Sequence, residues 1–255
     1  VALAAWVLRV PILVYLPDIE PGLAVRFIAR LATRVAVTVE DSEIYFSDRK
    51  LVVTGYPVRS EFHDLNRAEA REALGLVQHE PVLLVMGGSR GARSINRALD
   101  GILEQVLDMT QLIHLSGDLD WPWISVRRDG LPEALKARYH AFPYLHEIGY
   151  ALASAELAVC RAGASALGEL PFFGLPAVLV PYPHAWRYQR VNAEWLTERG
   201  AAVTMMDDRL VRELLPTLQQ LLMDRDRLAR MAERARVLSR PDAAARLAEN
   251  LLALG

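Results

Sequence analysis

Short apolar runs separated by stretches of helical periodicity set the plan of this chain. The runs at residues 12–16, 34–39, 51–54, 82–86, 112–115, 139–142, 157–160, 177–180 and 201–205 show little polar alternation, which predicts strands covered on both faces. Between them, apolar spacing predicts helices over 2–8, 23–33, 67–74, 92–107, 131–138 and 148–153, another from 165, and one ending at 199. A short helix or turn is expected at 41–46, and helices at 210–223, 226–238 and 241–254 follow the last strand. Strands alternating with helices build parallel sheets, so the fold class is α/β. The stretch Gly55-Tyr56-Pro57-Val58-Arg59-Ser60 interrupts the alternation and marks a crossing between two units. Beyond it, Asn66 with Glu69 forms a capping box for a helix that Gly75 closes.

One strand–helix–strand unit carries most of the candidate chemistry. The strand at 157–160 runs into the small-residue turn Arg161-Ala162-Gly163-Ala164-Ser165, and the helix from Ser165 is cut short by Gly174-Leu175-Pro176 before the strand at 177–180. Small residues let a ligand approach the backbone, while unpaired N–H groups and the helix dipole favour an anion, so a phosphate is expected there. Glu169 falls four residues after Ser165 on the same helical face, one turn below that anion. A carboxylate accepting two hydrogen bonds suits a vicinal diol such as a ribose. Spacing alone leaves a second reading open, in which Gly163 only packs helix against strand and Glu169 is a solvated charge. Pro171 lies inside this helix, removes one donor and is expected to kink it near its end.

A second turn, Gly87-Gly88-Ser89-Arg90-Gly91, follows the strand at 82–86 in the same strand–turn–helix order. It matches neither the Walker pattern nor the dinucleotide fingerprint, so it reads as a general phosphate or sugar loop, or as a tight turn alone. Asp118 and Asp120 form an aspartate pair in the expected loop 116–123, suited to a nucleotide-bound metal or simply solvated. After the strand at 177–180, the segment His184-Ala185-Trp186-Arg187-Tyr188-Gln189-Arg190-Val191-Asn192 is dense in hydrogen-bonding and aromatic groups, and ligands of open α/β sheets bind beyond the carboxyl ends of strands. Gln189 and Asn192 each donate and accept, which suits sugar hydroxyls.

Composition narrows the partners. A net charge of −2, with both signs mixed along the chain, lacks the basic excess of a nucleic-acid binder. The single cysteine, Cys160, excludes an internal disulfide framework and a cysteine zinc site, and points to a reducing compartment. Arg9 and Pro11 break the apolar opening well short of the ~20 residues that a spanning helix needs. Arg26, Arg30 and Arg34 line one helical face, which fits either a solvated face or a helix resting on an anionic bilayer. The chain starts in mid-pattern without an initiator methionine, so a segment upstream of Val1 is expected.

The segments GYPVRSEF, VMGGSRGARSIN, CRAGASALGE, GLPAVLVPYP, HAWRYQRVNAEWL and MAERAR, in this order, resemble the MurG-type glycosyltransferases of family 28. The resemblance runs from Trp6 to the C-terminus and implies a GT-B-like fold, two Rossmann-like domains facing across a cleft. It implies a partial N-terminal, acceptor-side domain at 1–60, a complete C-terminal UDP-sugar domain at 61–240, and a last helix, 241–255, packing back toward the first. The implied activity moves a hexosamine, with N-acetylglucosamine as the expected sugar, from UDP to a lipid-linked or glycan acceptor by inverting displacement, as in peptidoglycan precursor synthesis. The implied place is cytoplasmic, peripheral on the inner face of the plasma membrane, with that surface as a partner.

Carried over by position, Glu169 resembles the ribose carboxylate, and Gly163, Ala164, Ser165 and Ala166 the diphosphate turn. Leu145 matches the uracil-facing backbone, Ser89 and Arg59 the phosphate side, and Gln189 and Asn192 the sugar side. No cofactor is implied, and no motif requires a divalent metal. The family's N-terminal glycine-rich loop, with its candidate basic histidine, would lie upstream of Val1. Tyr15-Leu16-Pro17-Asp18 stands where the family has His-Glu-Gln-Asn, and Tyr188 where many members have a second glutamine. No general base is identified, although His184 lies close to the sugar segment. Two alternatives share these features: a UDP-sugar 2-epimerase-like enzyme and a non-catalytic nucleotide-sugar binder.

Overall fold

The computed structural model describes residues 1–46, 50–88, 91–184 and 187–255. The chain opens with α1 (Ala2–Val7), β1 (Leu13–Leu16), α2 (Leu23–Leu31), β2 (Arg34–Val37) and β3 (Leu51–Val53), and these strands pair in parallel as a three-stranded sheet in sequence order. Leu16, Ala29, Ala32, Val35 and Val37 form its buried cluster.

A second, six-stranded parallel sheet follows. Its elements are α3 (Arg67–Ala73), β4 (Val82–Met86), α4 (Arg93–Asp100), α5 (Leu103–Met109), β5 (Gln111–Leu115), α6 (Trp121–Asp129), α7 (Glu133–Lys136) and β6 (Tyr139–Phe142). Then come α8 (Ile148–Ser154), β7 (Leu157–Cys160), α9 (Glu169–Phe173), β8 (Ala177–Leu179), α10 (Tyr188–Glu198) and β9 (Ala202–Thr204). The chain closes with α11 (Leu210–Met223), α12 (Arg225–Val237) and α13 (Ala243–Leu252). The strand order is β6-β5-β4-β7-β8-β9, so the chain winds outward from β4 to one edge and returns at β7 to wind toward the other. Buried clusters cover both faces, one holding Val82, Leu84 and Ala158, the other Leu83, Val85 and Val159. This double covering accounts for the unbroken apolar runs.

Several expectations change. The helix expected over 92–107 is two, because Ile102 leaves helical geometry at φ −128 and ψ 13 and lets Leu103, Val106 and Leu107 turn onto the core. Residues 116–123 are not all loop, since α6 begins at Trp121 with Pro122 in its first turn, where a missing N–H breaks no bond. The helix expected from Ser165 is a 3-10 turn, Ala164–Leu167, then α9, with the break at Gly168. Pro171 sits in the first turn of α9 rather than near the end of a longer helix, so its missing N–H interrupts no hydrogen bond within α9.

Side chains join the two sheets. Arg199 grips Asp41 through both carboxylate oxygens at 2.8 and 2.9 Å, and Arg240 pairs with Glu40. Arg34 donates to Asn250 Oδ1 of α13 at 2.8 Å, which draws one member of the basic stripe into the fold. Among the described residues, no helix is long and apolar enough to cross a membrane.

Candidate functional site

The reversal of winding between β4 and β7 leaves a crevice at their carboxyl ends, where open α/β sheets bind ligands. A cleft of about 980 Å³ lies there. Met86 of β4 and Gly87 after it, Leu115 of β5, Tyr144 and Leu145 after β6, Arg161 and Gly163 after β7, and Tyr182 and His184 after β8 all line it.

The turn after β7 presents its backbone to this cleft. The N–H groups of Gly163, Ala164 and Ser165 donate to no acceptor among the described residues. Ala166 differs: it is buried, and its N–H donates to Gly163 O at 3.0 Å, so it offers no free donor. Gly163 has φ −65 and ψ 169, a conformation open to any residue, and a Cβ placed there meets no protein atom within 4 Å. Glycine is therefore required here neither by backbone strain nor by helix–strand packing, and a side chain would occupy cleft space instead. Gly163→Ala is expected to leave the melting temperature unchanged while weakening a bound nucleoside diphosphate several-fold, as read by parallel thermal and calorimetric titrations.

Glu169 opens α9 beside this turn, one helical turn beyond Ser165 and past the break at Gly168, and both side chains line the cleft. Burial pushes the Glu169 carboxyl above its ordinary value, while Ser165 and the Arg59 charge pull the other way. Arg59 reaches the cleft from the crossing segment, and its Nη1 donates to His146 O at 3.3 Å. The carbonyl and N–H of Leu145 have no backbone partner among the described residues, which leaves an adjacent donor and acceptor on the cleft wall.

Gln189 lines the cleft, and its Oε1 accepts the Tyr182 N–H at 2.8 Å, steadying the segment after β8. Asn192, expected on the sugar side, is fully buried, and its amide is engaged by Ile19, Asp18 and Ala162. Ser89 lies outside the described residues. Its neighbour Gly91 has φ +72, and a Cβ there would fall 2.1 Å from Ser116 O, so this turn tolerates only glycine at that position.

Two arginines were not singled out by sequence reading. Arg161 Nη1 bonds Asp207 at 2.5 Å and Val180 O at 3.2 Å, while Nη2 bonds Ser94 Oγ at 2.8 Å, tying β7 to α4 at the cleft floor. Its place directly after a buried strand, inside the small-residue turn, was the available signal. Arg93 donates to Asp120 Oδ1 at 2.9 Å, and Asn96 donates to Asp120 Oδ2 at 2.9 Å. Burial pushes the Asp120 carboxyl up, but hydrogen bonds from Asn96, Arg93 and Trp123 outweigh it and hold the pKa below its ordinary range. The metal-holding reading of Asp118 and Asp120 is thereby overturned, since Asp120 is buried and fully engaged while Asp118 is exposed. Behind them, burial drives His114 down to about 3, so its ring is neutral between Asn96 and Tyr139.

Residues 82–247 match the glycosyltransferase family 28 C-terminal domain. The chain is 43% identical to the UDP-N-acetylglucosamine--N-acetylmuramyl-(pentapeptide) pyrophosphoryl-undecaprenol N-acetylglucosamine transferase of Roseiflexus sp. (strain RS-1), over 97% of this chain and 65% of that protein. It is 39% identical to the protein of the same description from Salinibacter ruber, over 100% of this chain and 68% of that one. The crystal structure of Acinetobacter baumannii MurG superposes with a TM-score of 0.74 at 27% identity, over 97% of this chain and 69% of that chain. The chain thus spans about two thirds of the length of these relatives.

Proposed function

This chain belongs to glycosyltransferase family 28, and on that premise we propose that it takes N-acetylglucosamine from a UDP donor and passes it to a lipid-linked muramyl-pentapeptide acceptor in one inverting displacement. Its main support is one cleft lined by Gly163, Ser165 and Glu169, at a turn whose N–H groups at Gly163, Ala164 and Ser165 have no acceptor among the described residues. The diphosphate lies on those N–H groups, and the ribose diol donates to Glu169. The paired N–H and carbonyl of Leu145 complement the acceptor and donor that uracil carries side by side.

The reaction breaks the bond between the sugar's anomeric carbon and the diphosphate as the acceptor hydroxyl oxygen attacks from the opposite face, the bonding electrons leaving with UDP and the hydroxyl proton passing to solvent. Negative charge then grows on the departing UDP. Backbone N–H groups fixed by the turn, with Arg59 across the cleft, stabilise that charge without reorganising, and no metal or other cofactor enters this reading. A lipid-linked acceptor also requires a membrane surface. Leu3, Trp6, Val7 and Leu8 of the exposed α1 segment, next to Arg9, supply an apolar patch with a basic edge for a peripheral position on the cytoplasmic face.

Incubation with radiolabelled UDP-N-acetylglucosamine and the lipid-linked acceptor tests the reading. Label is expected in the lipid phase; an epimerised UDP-sugar formed without acceptor would replace the transferase reading with an epimerase.

A pH dependence follows from the raised Glu169 pKa. Ribose hydroxyls donate to the carboxylate form, so donor binding is linked to loss of the Glu169 proton, and affinity rises with pH through the raised value and levels off above it. UDP-N-acetylglucosamine is the suitable probe because both its phosphates are esterified and carry no titrating proton in that range. Calorimetry across acid to neutral pH is expected to show this slope in the wild type and none in Glu169→Gln.

A further inference from the structure

Asn192 is polar, wholly buried in α10, and makes three hydrogen bonds to two distant parts of the chain. Its Nδ2 donates to Asp18 Oδ1 at 2.8 Å and to Ala162 O at 3.1 Å, and its Oδ1 accepts the Ile19 N–H at 3.3 Å. The chemistry of the partners fixes which way the amide faces. Two of them, a carboxylate and a carbonyl, only accept, and the third only donates, so a flipped amide would set oxygen against oxygen twice.

Ala162 is the residue before Gly163. Because a peptide group is planar and trans, holding the Ala162 carbonyl toward α10 turns the Gly163 N–H the opposite way. That N–H is one of the free donors on the cleft side of the turn. Asp18 and Ile19 belong to the loop after β1, in the part of the chain that builds the three-stranded sheet.

We infer that Asn192 is a positioning residue, whose buried amide aims the Gly163 N–H at the donor diphosphate and locks that turn to the Asp18-Ile19 loop. It touches neither sugar nor nucleotide. The inference rests on the donor-site reading above and adds to it a mechanical link between the loop after β1 and the diphosphate cradle. Asp18 has a part in it: its carboxylate accepts but cannot donate, so it fixes the amide's orientation.

Titration of the chain with uridine, UDP and UDP-N-acetylglucosamine tests the link. Asn192→Asp turns a carboxylate toward both Asp18 and Ala162 O. UDP and UDP-N-acetylglucosamine affinities are expected to fall together by about tenfold while uridine affinity is unchanged. Adding Asp18→Asn lets the new amide at position 18 donate to the new carboxylate at position 192, so the melting temperature recovers. Ala162 O still faces a carboxylate in that double variant, so the ratio of UDP to uridine affinity stays low. Asp18→Ala, in a partly exposed loop position, provides a variant with less risk to folding, and a smaller fall in the same ratio is expected.

An unchanged ratio in Asn192→Asp or Asp18→Ala overturns the inference. So does a loss confined to UDP-N-acetylglucosamine, which would make Asn192 a sugar ligand, or a ratio that recovers with the melting temperature, which would make its role structural only. A wild-type chain that binds UDP no better than uridine defeats the diphosphate cradle itself and takes this inference with it.

Discussion

Glu169→Ala is expected to weaken UDP binding by about 1.5–3 kcal/mol, which is roughly tenfold to a hundredfold in affinity. The magnitude is that of hydrogen bonds to a charged acceptor, lost when both ribose hydroxyls find no carboxylate. Stability should move the other way or not at all. Burial raises the Glu169 carboxyl, so the folded chain holds its proton more tightly than the unfolded chain does. A carboxyl of this kind contributes stability at low pH and loses it as pH rises through the folded value, so at neutral pH the ionised group is a burden on the fold. Removing it relieves that burden. Lost affinity at unchanged or higher melting temperature separates a binding carboxylate from a structural one, and paired calorimetric and thermal titrations read both.

Arg71→Ala is expected to do the opposite, lowering stability by about 3 kcal/mol while leaving UDP affinity intact in the protein that remains folded. Arg71 is 3% exposed, and its guanidinium bonds Ser154 O at 3.2 and 3.1 Å, Glu156 Oε1 at 2.6 Å, and Gln78 O. Glu156 in turn accepts the Val82 N–H at 2.7 Å. The group thus clamps α3, the end of α8 and the starts of the central strands β4 and β7 at the amino end of the sheet, opposite the cleft. Truncation leaves buried carbonyls without donors, although Arg67 at 3.2 Å still partners Glu156 and holds the cost to the lower part of the range for a broken buried pair. Arg71→Lys should restore little, because one ammonium cannot reproduce a fork that reaches three segments. Urea unfolding of the variants, followed by UDP titration of the folded fraction, checks both parts.

The behaviour of these two residues parallels what was legible in the chain. The strands β4, β5 and β7 could be read because burial on both faces leaves an unbroken apolar run that no helix period explains. The small-residue turn after β7 and the carboxylate beside it could be placed together at the cleft because small residues directly after such a strand, with a carboxylate four positions on, form a local pattern. Where long-range packing decides, local reading falls short. At the Gly168 break Tyr56 of the crossing segment packs where a side chain would be, with an added Cβ only 2.6 Å from Tyr56 Cβ, a contact that no local pattern announces. Helix α6 was hidden by Trp121-Pro122-Trp123, which reads as loop until Pro122 is seen in a helix's first turn.

Asn192 is the clearest case. Polar groups on a helix beyond a strand suggest a ligand, but its partners Asp18 and Ile19 are more than 170 residues away in sequence, and only folding shows that its amide is already engaged. Arg161 shows the converse, lying in the stretch that held the most chemistry while its partners Ser94 and Asp207 come from other elements.

The central claim, that the crevice between β4 and β7 is a UDP-sugar donor site, is tested most directly by calorimetric titration of the wild-type chain with UDP and, in parallel, GDP. UDP is expected to bind in a one-to-one complex at least about tenfold more tightly than GDP, because the Leu145 N–H and carbonyl pair with one acceptor and one donor of uracil, whereas guanine adds an exocyclic amine, a further donor for which this pair has no acceptor. Equal affinity for the two nucleotides, or binding of neither, would contradict it.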